Sequence, residues 1–506
     1  MHILFIKSVV NTFARSFDFG ISSLSAVLKE NGHTTDLFIV SDWNNISLLN
    51  NRIEETKPDV IAFSTYDSNF QSTVKVSAYI KKYFPKLLQV MGGVHLVLCP
   101  EDIKRAPNID AVCTGEGESV FIDLLKRYKK NDNSYLYTNG FWTRYKNKII
   151  KNPKVPFIDD IEKLPFPDRS IYSKHPLLSS NFANKIRLEF IFTRGCPFSC
   201  SYCSNHALRR VFNGHVYVRR LSPKRAIEWI KHDLARYDCD EIIIHDDTFT
   251  YDKKWTYEFL DLYKKIKIPF VCNTRIDSVD KKLLTKMKSS GCNMIYMGIE
   301  SGDDYIRTKI MKRNMTNEKI IKAFDIAKQV NLSTRAFVMM GLPDETPKNF
   351  LNTVKLVGKI LPEDFMMSIF YPYKGTELYD YSKKKKYLTR HKWDFLERLD
   401  TNLNMPQFKR VDIFYYYKNF VSLVRQSRET PNIIKRVYRK YKFTLLSVPP
   451  SSPLFLFVQM LSVVDDMILH SYHLFSKRLR ESYRSTREDL IEIEEHTYGA
   501  VKFPFS

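Results

Sequence analysis

The chain has 506 residues, more than one hydrophobic core normally serves, so two or three domains are expected. A hydrophobic content of 44%, a charged content of 27% and the lack of low-complexity tracts argue against long disordered regions. The formal net charge is +23, which permits attraction to nucleic acid, anionic lipid or an acidic partner, and which a lysine-rich proteome would also produce.

The cysteines and the apolar runs indicate in which cellular compartment the protein resides. Three of the eight cysteines are clustered and five are scattered, which favours a reducing cytosol and a metal site over a disulfide framework. The first residues begin as a strand and lack the pattern of a signal peptide. The longest apolar run, Val448–Val464, contains prolines and serines and ends before Asp465 and Asp466, so no membrane-spanning helix is expected. A cytoplasmic location is predicted.

The first 130 residues alternate apolar strands with amphipathic helices. This spacing predicts βαβ units in a doubly wound parallel sheet, whose ligands bind beyond the carboxyl ends of the strands. The predicted strands are His2–Val10, Thr34–Val40, Val60–Thr65, Leu87–Met91 and Ile109–Cys113. The predicted helices are Ile21–Asn31, Ile46–Thr56, Phe70–Phe84 and Glu118–Lys129.

Small and polar residues follow three of these strands. Glycine at such places lets the backbone approach a large ligand closely, although simple turn glycines would give the same pattern. The residues are Ser64 and Thr65 after the third strand, Gly92, Gly93 and His95 after the fourth, and Gly115, Glu116, Gly117 and Glu118 after the fifth.

The Gly-Gly-x-His and Gly-Glu-Gly-Glu loops resemble those of the cobalamin-binding domain that precedes many radical S-adenosylmethionine (SAM) enzymes. The resemblance covers about Met1 to Arg127 and implies that the nine strand-end residues line a cobalamin pocket. The Asp-x-His-x-x-Gly motif that supplies a cobalt-ligating histidine is absent, and His33 and His95 do not stand in that spacing. Many members of this type bind cobalamin without a histidine ligand, and some relatives have lost the cofactor.

Residues 131–184 are predicted to connect two domains, with a hairpin at Tyr135–Ile150 and a stiff, proline-punctuated stretch at Leu164–Asp168. From 185 to 378 the alternation resumes with six βα units, which predicts a partial barrel of the TIM kind with its chemistry at the carboxyl ends of the strands. The predicted strands are Ile186–Thr193, Glu241–His245, Phe270–Thr274, Met294–Ile299, Thr334–Met340 and Phe365–Tyr371, with helices such as Pro223–Ala235 and Lys281–Ser289 between them.

Three cysteines, Cys196, Cys200 and Cys203, stand in one short loop directly after the first strand of this barrel. Iron–sulfur clusters are normally held by four cysteines, and structural zinc sites also close at four ligands. A cluster with three protein ligands keeps one iron free for a substrate or cofactor, which indicates an enzyme. The alternatives are a zinc site completed by His206 and a coincidental trio of buried cysteines.

The pattern Cys-x3-Cys-x2-Cys, with Tyr202 before the last cysteine, resembles the signature of the radical SAM superfamily. The resemblance implies a 4Fe-4S cluster on the three cysteines, SAM chelated to the open iron, and a 5′-deoxyadenosyl radical formed when an electron splits SAM. It also implies an external electron donor such as flavodoxin or ferredoxin. The other five cysteines show no second spacing of this kind, so no auxiliary cluster is predicted.

The second and third barrel strands end in residues that would suit SAM. Asp246 or Asp247 could accept hydrogen bonds from its ammonium group, and the sequence does not choose between them. A surface turn or a helix N-cap would use the same residues. Arg275 could pair with the SAM carboxylate through its guanidinium fork, or tie adjacent strand ends together.

The later strand ends continue the pattern. Glu300 and Ser301, beside two glycines, would suit the ribose hydroxyls and the methionine head group of SAM. The stretch Met340–Thr346 contains Gly341 and Glu345 and resembles the family's Gly-x-Pro-x-Glu-Thr, whose backbone lies near adenine. The sixth strand is followed by a stretch that resembles Pro-x-Pro-Gly-Thr, with Lys374 where proline is common.

Residues 379–506 are predicted to be mostly helical, and in the family such a region caps the barrel and helps to shape the substrate pocket. From Phe408 to Phe443 there are ten lysines and arginines against two acids. The apolar run Leu454–Val464 would form a core helix or lie on a membrane surface. The predicted helices are Asp412–Arg428, Ile433–Lys442, Phe455–Leu469 and Tyr472–Ile493.

Together these features predict a cobalamin-dependent radical SAM methyltransferase that acts on an unactivated carbon of a small-molecule or lipid substrate. One alternative is a radical SAM cyclase or rearrangement enzyme without methyl transfer. Another is a non-catalytic, zinc-containing protein that binds nucleic acid, which would leave the strand-end motifs unexplained. Nucleic acid is therefore not an expected partner, whereas peripheral contact with a membrane is compatible with the sequence.

Overall fold

The computed structural model describes residues 1–10, 17–173, 180–182, 185–212, 217–389 and 398–462. Two seven-stranded sheets dominate these ranges, one formed before residue 152 and one after residue 179. Both consist mainly of parallel strands joined by helices. The predicted fold class, a doubly wound sheet followed by a partial barrel and a helical C-terminal region, is confirmed.

The first sheet is built from β1 (His2–Ser8), β2 (Thr34–Val40), β3 (Val60–Ser64), β4 (Leu88–Gly92), β5 (Ala111–Cys113), β6 (Phe141–Tyr145) and β7 (Lys148–Lys151). Its helices are α1 (Phe19–Glu30), α2 (Ser47–Thr56), α3 (Phe70–Tyr83), α4 (Val94–Leu98) and α5 (Gly117–Tyr128). The strand order is β2-β1-β3-β4-β5-β6-β7. The order reverses between β1 and β3, and ligands of such sheets bind at this switch point.

Strand β1 shows why the central strands are apolar throughout. Ile3 and Phe5 pack into the hydrophobic core on one face of the sheet, whereas Leu4 and Ile6 pack into the core on the other face. Successive side chains of a strand point to opposite faces, so a strand covered by helices on both sides needs an unbroken apolar run.

The connector, residues 131–184, contributes strands to the first sheet and contacts both domains. Its predicted hairpin pairs with β5 as β6 and β7 and extends the first sheet with two antiparallel strands, so the hairpin belongs structurally to the first sheet. Farther on, Asp168 accepts a hydrogen bond from Lys29 of α1 (Nζ–Oδ2 2.7 Å). The next residue, Arg169, forms a fully buried ion pair with Asp233 (Nε–Oδ2 2.5 Å), which lies on the helix Pro223–Leu234 between the first strands of the second sheet. The connector is therefore fastened to both domains.

The second sheet has six parallel strands and one antiparallel edge strand. These strands are β8 (Ser180–Phe182), β9 (Lys185–Phe190), β12 (Glu241–Ile244), β13 (Phe270–Thr274), β14 (Cys292–Glu300), β15 (Ser333–Met340) and β16 (Asp364–Ile369). Their order across the sheet is β16-β15-β14-β13-β12-β9-β8. A separate pair is formed by β10 (Thr193–Arg194) and β11 (Arg219–Arg220). The helices are α6 (Ser204–Val211), α7 (Pro223–Leu234), α8 (Lys253–Tyr263), α9 (Lys281–Ser289), α10 (Asn317–Gln329), α11 (Pro347–Ile360) and α12 (Glu377–Lys384).

Two further helices, α13 (Arg410–Ser427) and α14 (Ile433–Leu446), follow the second sheet, and residues 455–462 are again helical. Buried side chains of α13, including Ile413, Tyr416 and Phe420, belong to the core of the second sheet. The predicted helix Tyr472–Ile493 and the end of the predicted helix Phe455–Leu469 lie outside the described residues. None of the helices in the described ranges combines the length and apolar character that a bilayer crossing requires.

Candidate active site

The cysteine loop leaves the carboxyl end of β9 through a position that only glycine fits. Gly195 has φ +89°, and a Cβ atom there would lie 2.5 Å from the carbonyl oxygen of Tyr217. The loop then ends at Cys203, which is the N-cap residue of α6. The backbone N–H of Cys203 donates to the carbonyl of Cys200 (3.1 Å), which closes a turn between the second and third cysteines.

A short π-helix, Ile306–Ile310, supports this loop from the end of the fourth barrel strand. Ser201 donates its backbone N–H to Met311 O (3.2 Å) and its hydroxyl to Ile310 O (2.6 Å). The wider turn of a π-helix frees carbonyls from the usual α-helical pairing, and such turns are frequent at functional sites. The loop position between the cysteines is therefore set by a distant segment.

Two arginines approach the sulfur of Cys200. Arg313 Nη1 lies 3.7 Å and Arg275 Nη1 3.8 Å from Cys200 Sγ, and both arginines are buried. Burial raises the pKa of the Cys203 thiol to about 12, with Asp247 as a further cause. The pKa of Cys196 is raised for the same main reason. Nearby cations favour thiolates, so the two guanidinium groups oppose the effect of burial at the loop.

The cysteine loop offers three thiol donors, the number that leaves one iron of an iron–sulfur cluster without a protein ligand. Within the described residues, no three His, Cys, Asp or Glu side chains lie close enough together to hold one metal ion. A cluster does not require such closeness, because each cysteine binds a different iron. His206, the fourth ligand of the zinc alternative, instead contacts Glu377 (Nε2–Oε1 2.9 Å) and Arg209 (Nδ1–Nη2 3.4 Å).

The two acids after β12 differ in their surroundings. Asp246 is fully buried and accepts hydrogen bonds from the backbone N–H groups of Phe192 (2.6 Å) and Thr193 (3.3 Å) and from the Thr193 hydroxyl (2.5 Å). It therefore ties the end of β12 to the start of the cysteine loop. The Asp247 carboxylate faces a cavity and accepts a hydrogen bond from Asn205 (2.9 Å). Desolvation raises the pKa of Asp247 to about 6.

Arg275 is engaged within the protein. Its Nε and Nη2 each donate to the Asp277 carboxylate at 3.0 Å, so the two-pronged edge of the guanidinium is occupied. The guanidinium also stacks on Phe198 of the cysteine loop, 3.7 Å from the ring centre. The structure thus places Arg275 as a tie between the end of β13 and the cysteine loop.

Glu300 ends β14 in a strained conformation. Its φ is +60°, and the pairing with β15 is irregular between Gly298 and Glu300. The carboxylate accepts a hydrogen bond from Tyr202 (3.3 Å), and Arg313 donates to the same tyrosine (3.2 Å). Burial raises the pKa of Glu300 against the opposing effect of Arg313. Left-handed residues other than glycine concentrate at functional sites, where surrounding structure holds them.

Three predicted SAM residues lie in internal networks. The Ser301 hydroxyl accepts from Asp303 N (3.2 Å) and lies 3.4 Å from the Thr353 hydroxyl. Glu345 accepts from the backbone N–H groups of Gly341 (2.6 Å) and Leu342 (3.1 Å). Glu345 is fully buried, and burial raises its pKa to about 8. Its Oε1 has no hydrogen-bond partner within the described residues.

A cavity of about 430 Å³ lies between the two sheets, within the size range of ligand sites. Seven of the nine predicted cobalamin residues line it: Ser64, Gly92, Gly93, Gly115, Glu116, Gly117 and Glu118. Its opposite side is formed by residues around the cysteine loop: Arg194, Gly195, Asn205, Tyr217, Arg219 and Asp247. The strand ends of the first sheet thus face the cysteine loop across one cavity.

Thr65 and His95 do not line this cavity. Thr65 donates its backbone N–H (2.8 Å) and its hydroxyl (2.7 Å) to Gly92 O, and a Cβ atom at Gly93 would lie 2.2 Å from Thr65 O. Both ring nitrogens of His95 are engaged, with Asp67 and Asp102 at 2.9 Å each. His95 therefore stabilises the first domain and presents no free nitrogen to a ligand.

Comparison with known proteins identifies both parts of the chain. The model of the radical SAM superfamily matches residues 190–357, and the model of the B12 binding domain matches residues 9–125. The chain therefore contains a radical SAM domain and, before it, a B12-binding domain. The prediction of a radical SAM enzyme with an N-terminal cobalamin-binding domain is thereby confirmed.

Two curated relatives align with most of this chain. An uncharacterised methyltransferase of Pyrococcus horikoshii, PH0819, is 27% identical over 411 residues, which are 80% of this chain and 86% of the relative. The anaerobic magnesium-protoporphyrin IX monomethyl ester cyclase of Rubrivivax gelatinosus is 24% identical over 372 residues, 71% of this chain and 65% of the relative.

Two solved structures share the fold. The radical SAM methyltransferase TsrM of Kitasatospora setae, with cobalamin and a [4Fe-4S] cluster bound, matches with a TM-score of 0.62 at 11% identity, over 76% of this chain and 75% of TsrM. The cobalamin-dependent SAM radical enzyme OxsB, with aqua-cobalamin and SAM bound, matches with a TM-score of 0.66 at 16% identity, over 93% of this chain and 75% of OxsB.

Arginines between the B12-binding and radical SAM domains were not predicted from the sequence. Arg194, two residues before Cys196, pairs with Glu118 (Nη2–Oε1 2.6 Å) and Glu116 (Nη1–Oε1 3.1 Å). Arg219 pairs with Glu116 as well (Nη1–Oε2 2.7 Å). The acids of the Gly-Glu-Gly-Glu loop thus bind the arginines of the β10–β11 pair. The position of Arg194 beside the cysteine motif was the only sequence signal for this contact.

Arg313 is a second residue that sequence reasoning missed. It follows the π-helix, donates to Gly298 O (2.6 Å), and contacts both Tyr202 and Cys200. The Tyr202 hydroxyl links Arg313 to Glu300. No spacing in the sequence connects residue 313 to a loop more than one hundred positions earlier.

Proposed function

We propose that this radical SAM enzyme is a cobalamin-dependent methyltransferase that methylates an unactivated carbon of a small-molecule or lipid substrate. The observation that carries the proposal is the cavity between the domains, which brings the strand ends of the B12-binding domain opposite the cysteine loop. When bound, a 4Fe-4S cluster on Cys196, Cys200 and Cys203 with SAM would supply a 5′-deoxyadenosyl radical, and cobalamin would supply a methyl group.

The residues of the chain would hold and orient these groups. The three cysteines offer thiolates, and Arg275 and Arg313 place two positive charges beside the sulfur of Cys200. These charges would offset the negative charge that thiolate ligands bring into a buried loop. Because Asp277 occupies the two-pronged edge of Arg275, we assign Arg275 to support of the loop and not to the SAM carboxylate.

Of the two neighbouring acids, Asp247 is the candidate for the ammonium group of SAM. Its carboxylate is open to the cavity, whereas the Asp246 carboxylate is satisfied by backbone and side-chain donors. An ammonium group beside Asp247 would hold the carboxylate ionised against the desolvation that raises its pKa. Glu300 remains a candidate for contacts to the ribose and methionine parts of SAM, and Tyr202, which hydrogen-bonds to Glu300, is added as a second candidate. Ser301, Gly341 and Glu345 would shape the backbone around SAM.

On the other side of the cavity, glycines keep the strand ends of the B12-binding domain open. At Gly92, a Cβ atom would meet nothing closer than Cys113 Cβ at 3.5 Å, and at Gly115 nothing closer than Phe212 Cζ at 3.5 Å. Larger side chains at either position would fill the cavity. With both nitrogens of His95 engaged, His95 would not serve as a ligand to cobalamin.

The proposal is tested by purifying and reconstituting the protein without oxygen and supplying SAM and a chemical reductant. We expect the protein to hold cobalamin, to cleave SAM to 5′-deoxyadenosine, and to form S-adenosylhomocysteine as methyl groups are consumed. Gly92→Leu should lose cobalamin and retain its iron, whereas Gly92→Ala, the matched control, should retain both. Absence of both products from protein with an intact cluster would contradict the proposal.

A second candidate is a radical cyclase, which the similarity to the Rubrivivax gelatinosus cyclase favours. Such an enzyme would form 5′-deoxyadenosine without S-adenosylhomocysteine in the same assay. The two products therefore separate the candidates before the substrate is known.

A further inference from the structure

The C-terminal helices expose large apolar side chains to solvent. On α14, Ile433 is 70% exposed and Val437 65%, and the next helical segment, 455–462, exposes Leu456 at 77% and Met460 at 67%. Extended exposed apolar patches are rare on monomeric soluble proteins and mark interaction sites. On each helix the two residues stand four positions apart, so they lie on one face as a stripe.

The two stripes differ in what borders them. Helix α14 has the sequence IIKRVYRKYKFTLL, with Lys435, Arg436, Arg439, Lys440 and Lys442 and no acidic residue. From Val448 to Ser462 the chain has no charged residue at all. A basic helix that carries an apolar stripe, followed by an uncharged apolar helix, has the composition of a segment that lies in the interface of a membrane.

Both segments are anchored to the body of the protein through α13. The Tyr416 hydroxyl of α13 donates to Ser447 O at the end of α14 (2.6 Å). Asp412 accepts from Ser451 N (2.8 Å) and Ser451 Oγ (2.7 Å) in the turn between the segments, and the Tyr415 ring packs edge-on against Phe455 (5.4 Å). The stripes therefore belong to an ordered surface that α13 ties to the core of the radical SAM domain.

We propose that α14 and residues 455–462 bind the surface of an anionic lipid membrane. Lysines and arginines would face the lipid phosphates while the apolar stripes enter the boundary with the acyl chains. The charge complementarity favours anionic lipid over a second copy of the chain, because two α14 helices would bring the exposed Lys435, Arg436 and Lys440 of both copies together. Binding of this kind keeps the protein on the surface and needs no membrane-crossing helix.

The experiment uses full-length protein and sedimentation with vesicles of phosphatidylcholine alone or of phosphatidylcholine with phosphatidylglycerol. We expect binding to the phosphatidylglycerol vesicles, weaker binding to the neutral ones, and a decrease at high salt. A variant with Lys435→Glu, Arg436→Glu and Lys440→Glu should lose roughly 100-fold or more in partitioning, because each basic residue near an anionic surface contributes about fivefold. The matched control, Lys254→Glu, Lys264→Glu and Lys265→Glu, reverses three exposed lysines of the barrel and should bind normally.

The apolar contribution is tested separately. Leu456→Gln with Phe457→Gln should weaken partitioning by roughly tenfold or more while the salt dependence remains, because burial of such side chains drives insertion. In a Phe457→Trp reporter, the added fluorescence should be that of a water-exposed ring in buffer and shift to the blue with phosphatidylglycerol vesicles.

Three outcomes would overturn the proposal. Equal binding to both kinds of vesicle, or binding to neither, would remove the anionic surface as the partner. A blue-shifted Phe457→Trp signal already in buffer would mean that protein covers the stripe. A concentration-dependent dimer that Val437→Gln dissolves, without vesicle binding, would assign the stripe to a second copy.

Discussion

Arg194 and Glu118 form an ion pair, 2.6 Å between Nη2 and Oε1, that joins the cysteine loop of the radical SAM domain to the B12-binding domain. Ser23 donates to the same carboxylate oxygen (2.8 Å). The pair borders the cavity between the domains, so it fixes the distance between the two walls of that cavity. Domain interfaces are ordinarily free to move, and a buried ionic contact restricts that motion.

We expect Glu118→Gln to destabilise the protein by roughly 2 kcal/mol at neutral pH, because Arg194 would lose one of its two carboxylate partners and keep only Glu116. Burial by itself would raise the pKa of Glu118, but Arg194 and Ser23 hold it below its ordinary value of about 4.3. A lowered folded pKa contributes stability above the ordinary pKa and loses it as the pH falls through the folded pKa. The difference from the natural protein should therefore be constant near neutral pH and vanish in acid.

Denaturant unfolding at a series of pH values measures this difference. Asp261→Asn, which removes the partner of Lys286 from an exposed ion pair, is the control and should cost under about 1 kcal/mol. A Glu118→Gln penalty that persisted unchanged below pH 4 would show that the carboxylate charge is not its cause.

Lys374 should couple energetically to Asp102. Lys374 stands where the family motif Pro-x-Pro-Gly-Thr, which this stretch resembles, has a proline. Its Nζ lies 2.8 Å from Asp102 Oδ2 in the B12-binding domain. A double-mutant cycle with Lys374→Met and Asp102→Asn should give a coupling free energy of about 1.5–3 kcal/mol, as expected for a charged hydrogen bond with partial burial. A cycle between Lys374 and the distant Asp261 should give none. Coupling within error of zero in the first cycle would exclude a role of this contact in domain docking.

His95 should stabilise the protein in its protonated form. Burial by itself would lower the pKa of His95, but the hydrogen bonds to Asp102 and Asp67 raise it above its ordinary value of about 6.5. A raised folded pKa contributes stability that is complete below the ordinary pKa and is lost as the pH rises through the folded value. The stability difference between the natural protein and His95→Gln should thus be largest near pH 6 and decrease at higher pH.

Thermal unfolding across this pH range checks the sign. His33 provides the comparison, because burial lowers its pKa, and the difference for His33→Gln should not decrease with rising pH. If the two variants showed the same pH profile, the hydrogen bonds to Asp102 and Asp67 would not be what shifts His95.

Arg313 should make a bound cluster easier to reduce. A positive charge beside Cys200 stabilises the additional electron, and at an effective dielectric constant of about 20 the loss of that charge corresponds to roughly 100 mV. We expect Arg313→Met to lower the reduction potential by about this amount, and Arg313→Lys, which keeps the charge, to lower it less. Redox titration followed by electron paramagnetic resonance measures the potential. Equal potentials in Arg313→Met and the natural protein would rule out an electrostatic role.

Replacement of each loop cysteine by alanine should remove the iron and the cleavage of SAM. Cys196, Cys200 and Cys203 are the complete predicted ligand set, and a cluster left with two protein ligands is not retained. Cys239→Ala is the matched control and should keep both, since Cys239 packs against the barrel core away from the loop. Iron and sulfide analysis after anaerobic reconstitution measures the effect, and zinc in the natural protein in place of iron would contradict the assignment.

The order of strands and helices could be predicted because it depends on local patterns. Predicted and observed bounds agree for Thr34–Val40, Phe270–Thr274 and Lys281–Ser289, and differ at other ends by a few residues, as in His2–Val10 against His2–Ser8. The connector hairpin was predicted as well, but its membership of the first sheet was not. Pairing with β5 is a contact between separate segments, and hydrophobic alternation within the hairpin carries no information about its partner.

The same distinction between local patterns and contacts across the fold applies to the predicted site residues. Sequence motifs marked the glycines and acids that line the cavity, because these residues occur together in two short loops after neighbouring strands. They did not distinguish Asp246 from Asp247, since neighbours in sequence share every local feature and differ only in which way each side chain points. The motifs also marked Ser301, Glu345 and His95, but they did not show that hydrogen bonds inside the protein engage these side chains.

The amino-acid sequence by itself determined the class of protein: two sheets in a stated order and a loop with three cysteines, because periodicity and motif spacing are properties of the chain alone. The tertiary structure decided which groups face one another. Arg194 reaches Glu118 and Arg313 reaches Cys200 only after residues 76 and 113 positions apart have been brought together. Charge pairing acts through space, so these contacts, which set the geometry of the site, leave no periodic trace in the sequence.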